Sequence, residues 1–500
     1  MPATVLSDWL AQRLNRHDES PVYRQLHKLL QEAILSRALG AGTKLPSSRV
    51  LAMEIGIARN TVTQVYEQLT LEGYVTAGIG RGTFVADTAS DEIDTGDAEV
   101  SSLIAGGALP VLSARGTRLL NGAGVFPRQG GAFMPGVPDV TRFPASVWNR
   151  IHSKHWRRLQ PDLMTYAPAG GLPVLREVLA DYLRAARSVR CAPEQIIITT
   201  GIHQSIDLAT RLLTDPGDTI WTEDPCYWGV RSILQASGVQ LKPIAVDDEG
   251  MALSATDLEA PPRLILVTPS HQYPLGMVMS LGRRRMLLEY ARQHRCWVIE
   301  DDYDSEFRYE RKPLACLQGM DPERVIYVGS FGKTLFPGLR VGYIVVPRAL
   351  AASFAMASAE LYREGQMVQQ AILADFIKEG HLSSHIRRMR MVYKQRRELV
   401  LAAIRRRYGA KLPIEGGDAG LHLVLLLPDS VDDHQVAAAA LAVDIVVRPL
   451  STYFSRRENA RSGLLIGYAC VMDERIEAAF EQLADVIDGY LSCKREFTST

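Results

Sequence analysis

Between residues 196 and 330 the chain alternates short apolar runs with amphipathic segments, and each run closes on glycine, proline or acidic residues: IIITTGIHQSIDLATRLL, TIWTEDPCYWG, RLILVT, CWVIEDD, VIYVGS. Continuous apolar runs of this kind are strands buried on both faces, and helical periodicity between them supplies the covering layers. The alternation predicts a mostly parallel sheet with helices on both sides. Folds of this type keep their ligand contacts at the carboxyl ends of the strands. The acidic stretch EDDYDSEF, which follows CWVI, therefore marks a candidate site.

The segment 325–343, VIYVGSFGKTLFPGLRVGY, reads as a strand, a Gly/Ser-rich turn presenting Lys333, and a second turn carrying Arg340. A lysine held on rigid backbone is positioned for imine chemistry with a carbonyl cofactor. Upstream, IIITTGIHQSI is a strand, a glycine turn and a helix start, where unpaired amides and the helix dipole favour an anion such as phosphate. From about residue 350 long helical patterns take over, and LHLVLLLP, DIVVRPL and GLLIGYA predict a smaller α+β subdomain.

A length of 500 residues allows two or three domains. With 56 basic and 56 acidic residues, net charge carries no global signal for nucleic acid, although a local one is compatible with that zero. No apolar run reaches membrane-spanning length and the first residues lack the pattern of a secretory leader, so a cytoplasmic protein is expected. The six cysteines form neither CxxC pairs nor a His/Cys cluster, which gives no indication of a disulfide framework or metal site.

The first 86 residues contain a different pattern. Leu26, Leu29, Leu30, Ala33 and Ile34 recur at helical spacing. Ser47 reads as the N-cap of a helix over 49–55, Gly56 breaks it, and a second helix runs from about 59 to 72. Two short helices and a tight turn make a helix-turn-helix, and YVTAGIGRGTFVA adds two strands with a glycine-rich tip, a wing. The run from PVYRQL to GRGTFV, with its LPSSR, RNTV and GRGTFV elements, resembles the DNA-binding domain of the GntR family. The resemblance implies duplex-DNA contacts from Ser47, Arg49, Arg59, Asn60, Thr61 and Thr63 in the motif, and from Gly80 and Arg81 in the wing. Residues 87–102 then carry six acids and no base. Such a segment cannot offset its ordering entropy by burial, and 87–130 is read as an acidic flexible linker.

From 131 onward the chain resembles the class I aminotransferases of the fold-type I, pyridoxal-phosphate (PLP)-dependent transferases. That likeness implies that Lys333 bonds covalently to PLP, Asp301 pairs with the pyridine nitrogen, Tyr303 donates to the ring hydroxyl, and Arg340 with Ser330 holds the phosphate. It further implies that Tyr227 stacks on the ring, that Gly201, Ile202 and His203 form the phosphate cup, and that Tyr166 reaches the cofactor of a partner subunit. Three positions depart from the enzymes. Tyr273-Pro274-Leu275-Gly276 stands where they have Asn-Pro-Thr-Gly, Gly332 precedes the lysine in place of serine, and Leu465 occupies the position of the arginine that clamps a substrate carboxylate. Arg448 and Arg461 are the candidates for a displaced clamp.

The two halves together resemble the MocR/GabR regulators, bacterial transcription factors in which a GntR head is fused to an aminotransferase-like domain. The resemblance implies a head-to-tail homodimer that binds an operator under the control of PLP, with a small amine or amino acid as a further effector. The genes implied serve vitamin B6, amine or amino-acid metabolism. It also implies a cytoplasmic bacterial protein, nucleoid-associated when bound to DNA. The altered positions favour sensing over turnover, with any transamination residual and Lys333 catalytic only if the chain is active. An active aminotransferase with an accessory DNA-binding domain is the alternative, and a scaffold that has lost its cofactor is a third reading.

Overall fold

The computed structural model describes residues 3–15, 20–78, 82–87, 112–121, 130–158, 160–309, 315–363 and 365–492. The chain divides into two compact units, Met1–Val111 and Leu112–Thr500.

The first unit contains helices α1 (Ala3–Arg13), α2 (Val22–Leu35), α3 (Ser48–Ile55) and α4 (Arg59–Leu71), then strands β1 (Val75–Gly78) and β2 (Gly82–Val85). The apolar stripe of α2 buries Leu26, Leu30, Ala33 and Ile34, which join Leu51, Val62, Val65 and Leu69 in one core. Ser47 caps α3 by accepting the Val50 amide at 3.3 Å. Gly56, at φ 68°, ends it in the left-handed conformation that glycine adopts without a Cβ penalty. Strands β1 and β2 pair antiparallel from Val75↔Val85 to Gly78↔Gly82. The wing tip with Gly80 and Arg81 lies outside the described residues.

The second unit is built on an eight-stranded sheet. Its strands are β3 (Ile196–Thr199), β4 (Thr219–Asp224), β5 (Gln240–Asp247), β6 (Gly250–Met251), β7 (Leu264–Val267), β8 (Trp297–Asp302), β9 (Val325–Ser330) and β10 (Gly342–Val345), in the order β3-β10-β9-β8-β7-β4-β5-β6. Strands β4, β5, β7, β8 and β9 run parallel, as the strand–helix alternation requires. Strand β10 inserts antiparallel between β3 and β9, because the connection from β9, with one 3-10 turn at Pro337–Leu339, is too short for the crossover helix that a parallel pairing needs. A four-stranded antiparallel sheet, β11 (Ile414–Gly416), β12 (His422–Leu426), β13 (Arg448–Pro449) and β14 (Gly463–Gly467), forms the smaller subdomain. It packs with the helices His381–Tyr408 and Asp473–Ser492 around Tyr393, Phe480 and Leu423.

One sequence expectation changes here. Residues 114–121, read as linker, form a helix, and Leu119 lies beside Ser232, Ile233 and Ala236 of the helix Trp228–Ser237. Ser113 Oγ accepts the Gly116 amide at 3.1 Å, an N-cap that satisfies one of the open amides of the first turn. No helix of the described residues is long and apolar enough to cross a membrane.

Candidate cofactor pocket and DNA-binding surface

Strand alternation sorts the acids at the end of β8. Glu300 accepts the amides of Leu317 and Gln318, both at 3.0 Å. Asp302 takes Nε of Arg187 at 2.7 Å and the Tyr327 hydroxyl at 2.5 Å. Both are engaged in structure. Asp301, one residue between them, points to the other face and lines a cavity of about 340 Å³ with Lys333, Tyr303, Tyr227, Tyr273 and Arg448. Among the described residues its buried Oδ1 has no hydrogen-bond partner. Burial, reinforced by Asp302, Asp304 and Glu223, pushes the Asp301 carboxyl well above the ordinary carboxylate range.

Lys333 enters the same cavity from the turn after β9, and its Nζ donates to the Gly136 carbonyl at 2.6 Å. Burial lowers the amine below the usual lysine value, against the pull of Asp304 and Asp301. A larger neutral fraction makes it a better nucleophile toward a carbonyl. Tyr303 lies beside it, its hydroxyl 2.9 Å from His271 Nδ1.

Gly201, Ile202 and His203 follow β3 at the start of a helix. Gly201, at φ 134°, is the N-cap of the helix Ile202–Leu213. A Cβ there would sit 3.9 Å from an Arg340 guanidinium nitrogen, so Arg340 lies at the positive end of the helix dipole. Ser330 Oγ accepts the Gly332 amide at 3.0 Å, which leaves its own proton for another acceptor. His203 is within 3.3 Å of the Tyr227 hydroxyl, and burial followed by the Arg340 and Lys333 charges lowers its imidazole below the ordinary value.

The departures from the enzymes also take definite places. Leu465 is fully buried and packs with Leu275, Val424, Leu450 and Tyr453. Arg448 is its register partner on the neighbouring strand, β13, and the Arg448 side chain lines the cavity, with one nitrogen 3.4 Å from Met134 Sδ. Arg461 pairs with Glu415 instead and is not among the cavity residues. The Tyr273 hydroxyl is 3.3 Å from that of Tyr453. Tyr166 is 78% exposed and lines a separate depression with Met356, Glu360 and Arg363.

In the first unit Arg59 and Asn60 are exposed at the start of α4, Thr61 and Thr63 are half-buried, and Ser47 and Arg49 are exposed at the start of α3. Thr63 Oγ1 donates to the Arg59 carbonyl at 3.1 Å. Lys44, not singled out from the sequence, bridges to Phe84 of the wing and holds its ammonium 5.7 Å from that ring. His271 and Asp304 were likewise visible only as members of their motifs, SHQYPLG and DDYDSEF.

The residues present fit PLP. The partnerless Asp301 oxygen is matched by the N–H of a protonated pyridine, the amine of Lys333 by an aldehyde, and Arg340 at a helix amino end by a phosphate. The two units thus define a winged helix-turn-helix joined to a fold-type I, PLP-dependent transferase fold.

Comparison with known proteins agrees unit by unit. Residues 22–85 match the bacterial regulatory proteins of the gntR family, and residues 142–483 match aminotransferase class I and II. The chain is 38% identical, over 91% of its length and 92% of the relative's, to a probable rhizopine catabolism regulatory protein, MocR, of Rhizobium meliloti. It is 30% identical, over 95% and 98%, to the pyridoxine biosynthesis transcriptional regulator PdxR of Corynebacterium glutamicum. The α-aminoadipate aminotransferase LysN of Thermus thermophilus, complexed with N-(5'-phosphopyridoxyl)-L-leucine, superposes with a TM-score of 0.67 at 26% identity, over 77% of this chain and 96% of its own. The chain belongs to the MocR-type transcriptional regulators of the GntR family.

Proposed function

We propose that this chain regulates transcription by binding duplex operator DNA through α3, α4 and the wing, and that PLP held at Lys333 governs that binding. The observation that carries the reading is the pairing of an intact ring-anchoring set, Asp301, Tyr303 and Lys333, with a substrate-clamp position filled by the buried Leu465. A pocket of this composition retains the cofactor and handles amino acids differently from the enzymes. PLP bound there supplies an electrophilic carbonyl to primary amines. Arg448, with the aromatic walls Tyr227, Tyr273 and Tyr453, suits an effector amine that also bears an anionic group. The test is operator binding followed by fluorescence anisotropy while PLP and then candidate amines are titrated. The reading requires the dissociation constant to respond to PLP, since a ligand shifts only an equilibrium whose two states it binds unequally.

The protein acts in the cytoplasm of a bacterium and joins the nucleoid when bound. Arg59→Ala costs about 1–3 kcal/mol at a specific operator if the guanidinium reads a base edge. A gel-shift series with unchanged affinity and unchanged sequence preference rejects that role. The functional form is a head-to-tail homodimer in which Tyr166 serves the partner's phosphate. Its 78% exposure in the single chain supports this. Sedimentation at micromolar protein finds a dimer, and Tyr166→Ala weakens PLP retention without dissociating it. A monomer that still holds PLP contradicts the shared site.

Arg448 also supports a second reading, an active aminotransferase, because a cavity-lining guanidinium can clamp a carboxylate. Steady turnover of amino donors and a keto-acid acceptor distinguishes it from the sensor, for which cofactor conversion stops after at most one exchange.

A further inference from the structure

Behind Tyr303, outside the ring-anchoring set, lies a buried pair with no assigned role. His271 Nδ1 is 3.0 and 3.2 Å from the two carboxylate oxygens of Asp304 and 2.9 Å from the Tyr303 hydroxyl. Both side chains of the pair are almost wholly buried. Backbone presses the imidazole from two sides. A Cβ on Gly420 would lie 2.2 Å from His271 Cε1 and 2.5 Å from Asp304 Oδ2, and one on Gly276 would lie 3.2 Å from His271 Nε2. A side chain at either glycine would collide with this pair, so both positions keep the imidazole in close contact with backbone.

The proton inventory then decides a direction. An ionised carboxylate only accepts, so Nδ1 facing Asp304 carries a hydrogen. A nitrogen that carries a hydrogen has no lone pair in the ring plane to accept another. The single Nδ1–H is therefore shared between Asp304 and Tyr303 Oη at 2.9 Å, and the tyrosine's own proton is directed elsewhere. Tyr303 lines the Lys333 cavity, and the hydroxyl of Tyr273 on the adjoining wall is already with Tyr453. Burial and the Asp304 charge also push the Tyr303 phenol well above its ordinary value, which keeps it protonated.

We propose that His271, its tautomer set by Asp304, is a positioning residue that makes Tyr303 an obligate hydrogen-bond donor into the cofactor cavity. It takes over part of the role left empty where Tyr273 stands in place of asparagine. The inference rests on PLP being the occupant. A donor on the ring oxygen stabilises its anionic form and lowers the proton affinity of the nitrogen that links Lys333 to the ring. The groups facing this network are Asp301, Lys333, Glu223, His422 and Tyr273, with Tyr309, Tyr468 and Glu306 on the Asp304 side, and none is altered in the test.

The test is the pH titration of the visible absorbance band of the full-length protein reconstituted with PLP. In Tyr303→Phe the midpoint moves upward. Asp304→Asn and His271→Leu move it in the same direction, because in the first an amide N–H can hold Nδ1 bare and attract the tyrosine proton, and in the second the Nδ1–H that polarises the tyrosine hydroxyl is lost. His271→Asn, whose amide N–H replaces Nδ1–H, keeps the parent midpoint. In a Tyr303→Phe background His271→Leu adds no shift, whereas a merely structural role predicts the same perturbation in both backgrounds. A parent midpoint in both His271→Leu and Asp304→Asn, with the band present, overturns the inference alone. A parent protein with no band at any pH overturns the PLP reading beneath it.

Discussion

Replacing Lys333 with alanine abolishes the visible band of the lysine-linked cofactor and makes operator affinity indifferent to PLP. Lys333 Nζ lies in the cavity 2.6 Å from the Gly136 carbonyl, and its amine is lowered by burial toward the neutral, nucleophilic form. Asp301, Tyr303 and Arg340, proposed to hold the ring and the phosphate, remain in the variant, so the expected result is PLP retained more weakly rather than excluded. What disappears is the difference in affinity between the DNA-competent and DNA-incompetent states that a covalent bond can create. Anisotropy with labelled operator, at zero and saturating PLP, gives two coincident curves for the variant and two separated curves for the parent. The isolated residues 1–86 bind as before, because their core is self-contained. A variant that lacks the band yet regulates its promoter identically to the parent at every PLP and amine level rejects the latch and leaves the scaffold reading.

The largest loss of stability is expected at Arg187. Its guanidinium is fully buried, meets Asp302 at 2.7 Å and donates to Ser270 Oγ at 3.0 Å. The Arg187 charge faces Asp302 first and then Glu306, and burial of Glu306 beside Asp302 pushes that carboxyl up against the pull of Arg187. Arg187→Met leaves a buried carboxylate without its counter-charge, at a cost of about 3–5 kcal/mol. The urea transition of the large unit reports it as a lower midpoint with an unchanged slope. Adding Asp302→Asn to the same chain restores part of the loss, since the amide oxygen still accepts from Tyr327 and the charge that Arg187 met directly is removed. If the double variant is no more stable than Arg187→Met, the loss comes from packing around the arginine stem and not from the stranded charge.

These two sites differ in how far the sequence discloses them. Lys333, Asp301 and Tyr303 lie in short motifs whose order along the chain carries the resemblance. Arg187 and Asp302 are 115 positions apart, and nothing local to either marks the pair. The same holds for the displaced arginine. Arg448 and Arg461 lie in one stretch of chain, and the register that sets Arg448 opposite Leu465, with Arg461 turned to Glu415, is a property of the folded sheet. The helix over residues 114–121 is not legible in the sequence because the acidic composition before it masks a capped eight-residue pattern.

What the sequence determined by itself was local and periodic. Apolar runs ending in turns specify buried parallel strands, the Ser47 cap and Gly56 break specify the helix-turn-helix, and the glycine turn at Gly201 specifies a helix start. The tertiary structure alone decided the antiparallel insertion of β10, the choice of Arg448 for the cavity, and the contact of His271 with both Asp304 and Tyr303. Each depends on which distant segments pair and in what register. A shift of one residue in a strand reverses every side chain's face, so such contacts are set by the assembled core and not by neighbouring residues in the chain.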